Sequence, residues 1–300
     1  MSDAIEEIET ADLRELFEEQ QYVAEDAIVT TVVVALRLGK PLLVEGEPGS
    51  GKTELGKVLA TGFDTELIRL QCYEGLMAEQ ALYEWNYGKQ LLAVQGGIED
   101  GTDTGSVFDE EYLLERPLLQ ALKTSGEHPP VLLIDEIDRA DEEFEALLLE
   151  VLSDFQVSIP ELGTIQAERS PIVIITSNRT RALSDALKRR CLFLHLEPPT
   201  PEKERKIVRR KVPELDGAIA AELCAAVARL REEPLIKQPG VAETLDWGRA
   251  IAALQDGNGS LTAADVRTTI GCLLKEVEDI QRVDDALIDE LLAAVLTDSA

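Results

Sequence analysis

An eight-residue stretch, GEPGSGKT from Gly46 to Thr53, constrains the fold of this chain more than any other part of its sequence. It matches the pattern G-x-x-x-x-G-K-[ST], whose glycines let backbone N–H groups turn inward around phosphate oxygens. An apolar strand is predicted before it and a helix after it, which disfavours a glycine-rich turn with a chance lysine. The residues predicted to bind phosphate are Gly46, Glu47, Pro48, Gly49, Ser50, Gly51, Lys52, Thr53 and Glu54.

Two residues of this phosphate loop have separate predicted roles. Lys52 would reach the β- and γ-phosphates of ATP, and the hydroxyl of Thr53 would bind Mg²⁺. The positive end of the following helix would point at the same anion. ATP and Mg²⁺ are therefore the predicted cofactors.

A second motif, VLLIDEIDRA at 131–140, is an apolar strand that ends in two carboxylates. In a parallel α/β sheet, ligands bind beyond the carboxyl ends of the strands, where the phosphate loop is also expected. Asp135 is predicted to hold Mg²⁺ through water, and Glu136 to act as the general base for an attacking water. The alternative, a strand followed by a solvated acidic turn, is disfavoured beside a phosphate loop.

A third apolar strand ends in the polar cluster of IVIITSNRT. Asn178 lies at the tip of this strand and is predicted to orient the attacking water. A turn-forming asparagine that only caps the strand is the alternative.

Short apolar runs alternate with helical segments along the first two thirds of the chain. This pattern predicts an α/β fold with a five-stranded parallel sheet and helices on both faces. The predicted strands are Pro41 to Gly46, Leu67 to Cys72, Val131 to Ile134, Ile172 to Thr176 and Leu192 to Leu196.

Two stretches interrupt the alternation. Residues 95–109, QGGIEDGTDTGSVFD, are rich in glycine and acids and predict a mobile loop. The sequence FQVSIPELGTIQA at 155–167 predicts a β-hairpin that turns at 161–163.

The strands cease after EPPTP at 197–201. We therefore predict an α/β nucleotide-binding domain at 1–200, with N-terminal helices within 1–38, and a helical domain at 201–300. Helical patterns in the second domain are broken by prolines and by the DGNGS turn at 256–260.

The chain has 58 acidic and 29 basic residues, which gives a net charge of -29. Such a surface repels nucleic acid and anionic membranes, so neither is an expected partner. Because the acids are spread along the chain, a shell adapted to high salt is favoured over an acidic face for a basic partner. The basic run EKERKIVRRK at 202–211 lacks interleaved aromatic residues, which favours a subunit contact or a solvated helix over a nucleic-acid site.

Two further features predict a cytoplasmic protein. No apolar run approaches the ~18 residues of a membrane span, and the acidic N-terminus has no signal or transit pattern. The four cysteines are far apart without a C-x-x-C pair, so reduced thiols are expected and a zinc site is not.

The phosphate loop, the DE strand end and the TSN strand end, in this order, resemble a AAA+ ATPase. The resemblance extends over nearly the whole chain, including a helical C-terminal lid. DEIDRA resembles the DEINRA signature of the MoxR branch, and the hairpin at 155–167 resembles the hairpin of that branch. IRLQCYEGL, ALYEWNYGKQLLAV and ALKRRCLF resemble its CoxD-like subgroup.

This resemblance implies the same roles for the residues named above, with Asn178 as the first sensor. It implies a homo-oligomeric ring, with a hexamer expected, and a chaperone-like ATPase that works beside a von Willebrand A-domain protein. The implied client is a metalloenzyme that the ATPase helps to mature.

In AAA+ rings an arginine from the neighbouring subunit completes the site. DALKRRC resembles the SRC element that carries this arginine in clamp loaders, which implies Arg190, with Arg189 as runner-up. A pair of solvated arginines before a strand is the alternative.

One departure from the MoxR pattern concerns the lid. Relatives usually carry an arginine in a GASPR-like stretch, whereas this chain reads GVAET at 240–244 and has Thr244 at that position. Arg249, further along the same predicted helix, is the candidate replacement.

Three functions compete at this point. A Mg²⁺-dependent ATPase that remodels a client protein is favoured. A DNA-acting AAA+ motor or loader shares the motifs but conflicts with the acidic charge. A nucleotide-regulated scaffold with little turnover is kept open because of Thr244.

Overall fold

The computed structural model describes residue 5 and residues 7–100, 107–160, 162–254 and 260–297. The chain divides into two compact units. The first unit comprises residues 1–20, 24–46 and 51–196, and the second comprises 21–23, 47–50 and 197–300.

The part of the first unit that the structure describes contains nine strands. They are β1 (Leu42–Gly46), β2 (Leu67–Gln71), β3 (Tyr83–Trp85), β4 (Leu113–Glu115), β5 (Val131–Asp135), β6 (Gln156–Ile159), β7 (Gly163–Gln166), β8 (Ile172–Ser177) and β9 (Leu192–Leu196). Five of them form one sheet in the order β2-β5-β8-β1-β9, and every neighbouring pair is parallel. The five-stranded parallel sheet predicted from the sequence is confirmed.

Helices connect and cover these strands. Those of the first unit are α1 (Thr10–Glu19), α2 (Asp26–Leu38), α3 (Lys52–Gly62), α4 (Ala78–Ala81), α5 (Tyr87–Asp100), α6 (Pro117–Lys123), α7 (Glu142–Asp154) and α8 (Asp185–Arg190). Short 3-10 turns cover Glu110–Tyr112 and Ile137–Arg139.

Strand β5 lies inside the sheet, and all five of its residues are buried. Such a strand reads as a continuous apolar run because helices cover both of its faces. Helix α3 approaches it closely at Gly56, where an added Cβ would lie 3.2 Å from Cδ1 of Leu133. The helix that begins in the phosphate-loop motif therefore packs on the strand that delivers the acidic pair.

The prediction of a loop at 95–109 is wrong in its first part. Helix α5 continues to Asp100, so its last six residues fall inside the predicted loop. Glycine costs about 1 kcal/mol in a helix interior, and a helix that is already nucleated tolerates that cost. Residues 101–106 lie outside the described residues.

A small antiparallel ribbon, formed by strands on either side of α5 in the chain, was not predicted from the sequence. Strands β3 and β4 pair through three residues each, from Tyr83 opposite Glu115 to Trp85 opposite Leu113. Three residues are too few for an alternating pattern to be recognised.

The hairpin predicted at 155–167 is present as β6 and β7. They pair antiparallel from Gln156 opposite Gln166 to Ile159 opposite Gly163. Gly163 has a φ of +85°, a conformation that glycine adopts without steric cost. Residue 161, in the predicted turn, lies outside the described residues.

The described part of the second unit is helical after residue 200. Its helices are α9 (Pro201–Lys211), α10 (Gly217–Leu230), α11 (Val241–Leu254), α12 (Ala263–Leu273), α13 (Val277–Arg282) and α14 (Asp285–Thr297). Their apolar core includes the fully buried Trp247, whose Nε1 donates a hydrogen bond of 2.7 Å to Oγ1 of Thr269. Most of the predicted DGNGS turn, residues 256–259, lies outside the described residues.

Within the described ranges, no helix combines the length and the apolar character needed to cross a lipid bilayer.

Candidate functional site

Side chains from α3 and β5 meet at the carboxyl edge of the parallel sheet. The hydroxyl Oγ1 of Thr53, in the first turn of α3, donates to Oδ1 of Asp135 at 3.0 Å. Asp135 is the last residue of β5. Two motifs that are 82 residues apart in sequence therefore converge on one point, as the sequence predicted.

The lysine of the phosphate-loop motif is held nearby in the first unit. Lys52 is only 6% exposed, and its Nζ donates to the backbone oxygen of Gly46 at 2.7 Å. Gly51 precedes α3 with a φ of +91°, in the left-handed region, and has no side chain with which to cap the helix. The amino end of a helix favours an anion, and α3 begins within the phosphate-loop motif.

The middle of the motif, residues 47–50, is grouped with the second unit. Gly49 has a φ of +83°, and the N–H of Ser50 donates to the carbonyl oxygen of Glu47 at 3.2 Å. These backbone conformations are tight turns of the kind that the glycine-rich pattern predicts.

Asp135 is a buried carboxylate with several donors. Its side chain is 4% exposed. Its Oδ1 also accepts from Oγ1 of Thr176 at 2.5 Å, and its Oδ2 accepts from Nη2 of Arg69 at 2.6 Å. Hydroxyl and guanidinium donors offset the cost of keeping a charge away from water.

Glu136 has an uncommon backbone conformation, with φ +56° and ψ +49° in the left-handed region. Its N–H donates to Oγ1 of Thr176 at 3.0 Å. Its carboxylate accepts from Nδ2 of Asn178 at 3.3 Å and from Nε2 of Gln71 at 3.1 Å, and it pairs with Nε of Arg139 at 2.9 Å. The predicted base and the predicted sensor are therefore in direct contact.

Asp138 was not identified from the sequence, yet it organises the turn around Asn178. It is 3% exposed, and it accepts from the N–H of Asn178 at 3.0 Å and from the N–H and hydroxyl of Thr180 at 2.9 and 2.6 Å. Burial acts to raise the pKa of Asp138, but the hydrogen bonds from Thr180 and Asn178 outweigh it and hold the pKa below its ordinary value.

Arg69, Gln71 and Thr176 were also missed. A signal existed for the first two, because exposed Arg69 and Gln71 alternate with buried neighbours along β2, which lies at the edge of the sheet. Gln71 stands opposite Asp135 in the parallel register. The pairing of β2 with β5, which sequence reasoning did not predict, brings these side chains to the acidic pair.

Cys72 directly follows β2, and the backbone N–H of this residue donates to the carbonyl oxygen of Asp135 at 2.8 Å. Burial, followed by the charges of Asp135, Asp138 and Glu136, raises the pKa of Cys72 to about 12. The thiol therefore stays protonated at neutral pH and is a poor nucleophile and metal ligand.

Arg190 is not part of this group of side chains. It is exposed at the end of α8 and lines a surface pocket with residues of α7 and β6, among them Glu150 and Asp154. Arg189 is exposed on the same helix. The guanidinium of Arg190 therefore does not contribute to the group of side chains around Asp135 and Glu136 in its own chain.

Thr244 and Arg249, the two residues of interest in the predicted lid, have different surroundings within the second unit. Thr244 is fully buried, and its hydroxyl donates to Oε1 of Glu204 at 2.7 Å. Arg231 holds the same carboxylate through two nitrogens, at 2.6 and 2.9 Å. Arg249 is exposed and pairs with Asp246 at 3.0 Å.

Comparison with known proteins defines the class. The profile of the AAA domain (dynein-related subfamily) matches residues 41–191, which is half of the chain and includes every first-unit residue of the site. The chain belongs to this family, and its fold is that of AAA+ ATPases.

Individual relatives are more distant. The Escherichia coli protein YehL is 30% identical over 183 residues, which is 58% of this chain and 46% of YehL. The Holliday junction branch migration complex subunit RuvB of Kosmotoga olearia is 27% identical over 261 residues, covering 84% of this chain and 63% of RuvB. A Lon protease from Cytophaga hutchinsonii is 26% identical over 208 residues, covering 64% of this chain and 23% of the protease. The chain thus spans less than two thirds of each of these relatives.

Among solved structures, a variant of Thermotoga maritima RuvB superposes with a TM-score of 0.51 at 19% identity. The match covers 91% of this chain and 72% of that protein. This likeness concerns the fold.

Asp138→Ala tests the turn that positions Asn178. The variant should lower the free energy of unfolding by about 2–3 kcal/mol, because buried N–H groups lose a charged acceptor. Since the folded pKa of Asp138 lies below the ordinary value of 3.8, its contribution is complete above that value and is lost as the pH falls through the folded pKa. The difference from the wild type, measured by urea denaturation, should therefore shrink below about pH 4.

Asp141→Ala is the matched control. Asp141 caps α7 by accepting from the N–H of Phe144 at 2.9 Å, and such a cap contributes about 1 kcal/mol. Equal losses in the two variants, or a difference that grows on acidification, would contradict the role given to Asp138.

Proposed function

We propose that the chain is a Mg²⁺-dependent AAA+ ATPase of MoxR type, which hydrolyses ATP to ADP and phosphate. The observation that carries this proposal is the 3.0 Å contact between Thr53 and Asp135, with Lys52 held beside the end of β1. Glycine-rich backbone, lysine, hydroxyl and carboxylate are the groups that a nucleoside triphosphate and its cation need.

Binding is assigned to the motif from Gly46 to Glu54. Lys52 would neutralise the β- and γ-phosphates, and the amino end of α3 would add N–H donors. The hydroxyl of Thr53 would be a hard oxygen ligand of Mg²⁺, and Asp135 would hold the cation through water, in a site where phosphates and water complete the shell. When bound, the cation would offset the negative charge of the phosphates.

Hydrolysis is assigned to Glu136 and Asn178. The Glu136 carboxylate would take a proton from the attacking water, whose oxygen bonds to the γ-phosphorus as the bond to the β-γ bridging oxygen breaks. The amide of Asn178, 3.3 Å from the carboxylate, would orient that water. Glu136 also contacts Gln71 and Arg139 here, and it must exchange these contacts for water before it can act.

The remaining component is assigned to a second copy of the chain. Arg190 would act in trans, on the site of a neighbouring copy. It is exposed on α8, and it lines a surface pocket with residues of α7 and β6 instead of the acidic pair of its own chain. A guanidinium supplied across an interface stabilises the charge of the transition state. The assignment is consistent with the homo-oligomeric ring, with a hexamer expected, that the AAA+ resemblance implies.

The client is proposed from the MoxR and CoxD-like motifs of the sequence. The nucleotide-binding domain at 1–200 and the helical lid at 201–300 would convert ATP turnover into remodelling of a client protein. A von Willebrand A-domain partner and a metalloenzyme precursor are the proposed partners, in the cytoplasm.

Substitution of the two central residues separates binding from turnover. Lys52→Ala should abolish binding of a fluorescent ATP analogue, because the phosphates lose their buried cation. Glu136→Gln should bind as the wild type does and lose at least about 100-fold in turnover, since the amide cannot accept the proton. Glu142→Gln, an exposed carboxylate in the first turn of α7, is the control and should change neither value.

Normal hydrolysis by Glu136→Gln would show that another residue is the base. Tight ATP binding with negligible wild-type turnover in the assembled state would favour the nucleotide-regulated scaffold.

Mixing variants tests the arginine in trans. Arg190→Ala should lower turnover about 10³-fold in the assembled protein, and Arg189→Ala, its neighbour on α8, should have little effect. Combining Arg190→Ala with Glu136→Gln should restore part of the activity, because mixed rings contain sites with both an intact base and an intact arginine. No recovery on mixing, or a larger loss in Arg189→Ala, would remove Arg190 from the site.

A DNA-acting motor is the second candidate, favoured by the match to RuvB over 84% of this chain. The net charge of -29 opposes it, because duplex DNA would be repelled. We expect no change in ATPase rate on adding duplex or four-way-junction DNA at moderate salt, and an increase on adding a purified von Willebrand A-domain partner. Stimulation by DNA alone would reverse this ranking.

A further inference from the structure

Arg69 makes a contact that has no part in the proposed catalytic steps. Its Nη2 lies 2.6 Å from Oδ2 of Asp135, and its side chain is 48% exposed while that of Asp135 is 4% exposed. A half-solvated guanidinium therefore reaches inward to a buried carboxylate. The carboxylate is the one assigned to Mg²⁺.

The position of Arg69 is determined on both sides. The same Nη2 donates to Oε1 of Gln71 at 2.8 Å, and Nε2 of Gln71 donates to Oε2 of Glu136 at 3.1 Å. Arg69 and Gln71 are two residues apart on β2, so their side chains stand on the same face of the strand. The guanidinium is therefore oriented by a chain of contacts that ends on the second acid.

The charge balance explains why a cation is needed there. A buried ionised carboxylate is costly unless it is paired, and the hydroxyls of Thr53 and Thr176 supply hydrogen bonds to Asp135 but no positive charge. The guanidinium of Arg69 supplies that positive charge in a planar group suited to pairing with a carboxylate.

We propose that Arg69 is a resident counter-cation of Asp135 that competes with Mg²⁺ for this carboxylate. The inference rests on the proposed function, since it takes Asp135 as the carboxylate that holds Mg²⁺. Arg69 would stabilise Asp135 in the unliganded chain and would have to move toward solvent for the metal to bind. Its 48% exposure and its attachment to an edge strand make that movement inexpensive, because the displaced guanidinium is rehydrated.

Competition predicts a definite change in Mg²⁺ dependence. In Arg69→Met, binding of a fluorescent ADP should reach half-saturation at a Mg²⁺ concentration about five- to tenfold lower than in the wild type, which is the lower end of usual coupling between two ligands. The unliganded variant should also unfold at a lower temperature, because Asp135 loses its counter-charge. Neither measurement depends on turnover.

Three further variants complete the experiment. Arg69→Gln should shift the Mg²⁺ midpoint in the same direction as Arg69→Met, and circular dichroism verifies that both fold. Arg69→Lys keeps the charge and should lie between the wild type and Arg69→Met. Arg139→Met is the matched control, because it removes an equal charge that pairs with Glu136 instead of Asp135.

The outcomes separate the two proposals. Equal shifts in Arg139→Met and Arg69→Met would mean a general charge effect, and an unchanged or higher Mg²⁺ midpoint in both Arg69→Met and Arg69→Gln would mean that Arg69 does not compete. Either result overturns the inference while leaving the ATPase proposal standing. If the wild type binds no ADP or ATP at any Mg²⁺ concentration, the proposed function fails and this inference fails with it.

Discussion

The parallel pairing of neighbouring strands is the constraint on which the other features of this molecule depend. Because β5 runs parallel to both β2 and β8, the carboxyl ends of the three strands lie side by side. Asp135 can then meet the first turn of α3 and the hydroxyl of Thr176 at once. An antiparallel pairing of either neighbour would place its polar end at the far edge, where it could contact neither acid.

Negative charge is concentrated at these carboxyl ends, and nearby groups of the chain stabilise the charged side chains. Asp135, Glu136 and Asp138 follow one another within four residues of an already acidic protein. Hydroxyls, backbone N–H groups, side-chain amides and two arginines satisfy these carboxylates, with a different set for each acid. The raised pKa of the neighbouring Cys72 thiol, due first to burial and then to these charges, is a further consequence of the cluster.

The contacts that stabilise the acidic side chains also bear on the proposed catalytic steps. Under the proposed function, a bound cation would replace Arg69 at Asp135, and a water would replace Gln71 and Arg139 at Glu136. The buried hydrogen bonds of Asp138 serve a different purpose, because they fix the turn that carries Asn178 and take no part in that exchange. A site of this kind combines a rigid frame with side chains that change partners.

Local patterns determined much of this protein without any structure. Buried parallel strands are continuous apolar runs, so the five sheet strands were readable, and the phosphate loop, Asp135, Glu136 and Asn178 followed from motifs whose chemistry requires those residue types. The three-residue strands around α5 and the end of α5 itself were not readable, because short pairings and the tolerance of glycine in a helix leave weak local signals.

The tertiary structure alone decided which side chains surround those residues. Arg69 and Gln71 lie beside the acids only because β2 pairs with β5. The spacing of residues along the sequence does not indicate which strands are neighbours in the sheet. Asp138 lies within a motif, yet its role depends on the approach of the turn after β8. Motif residues are defined by the chemistry they must perform, whereas their supporting partners are defined by long-range packing that closes loops of 40 or more residues.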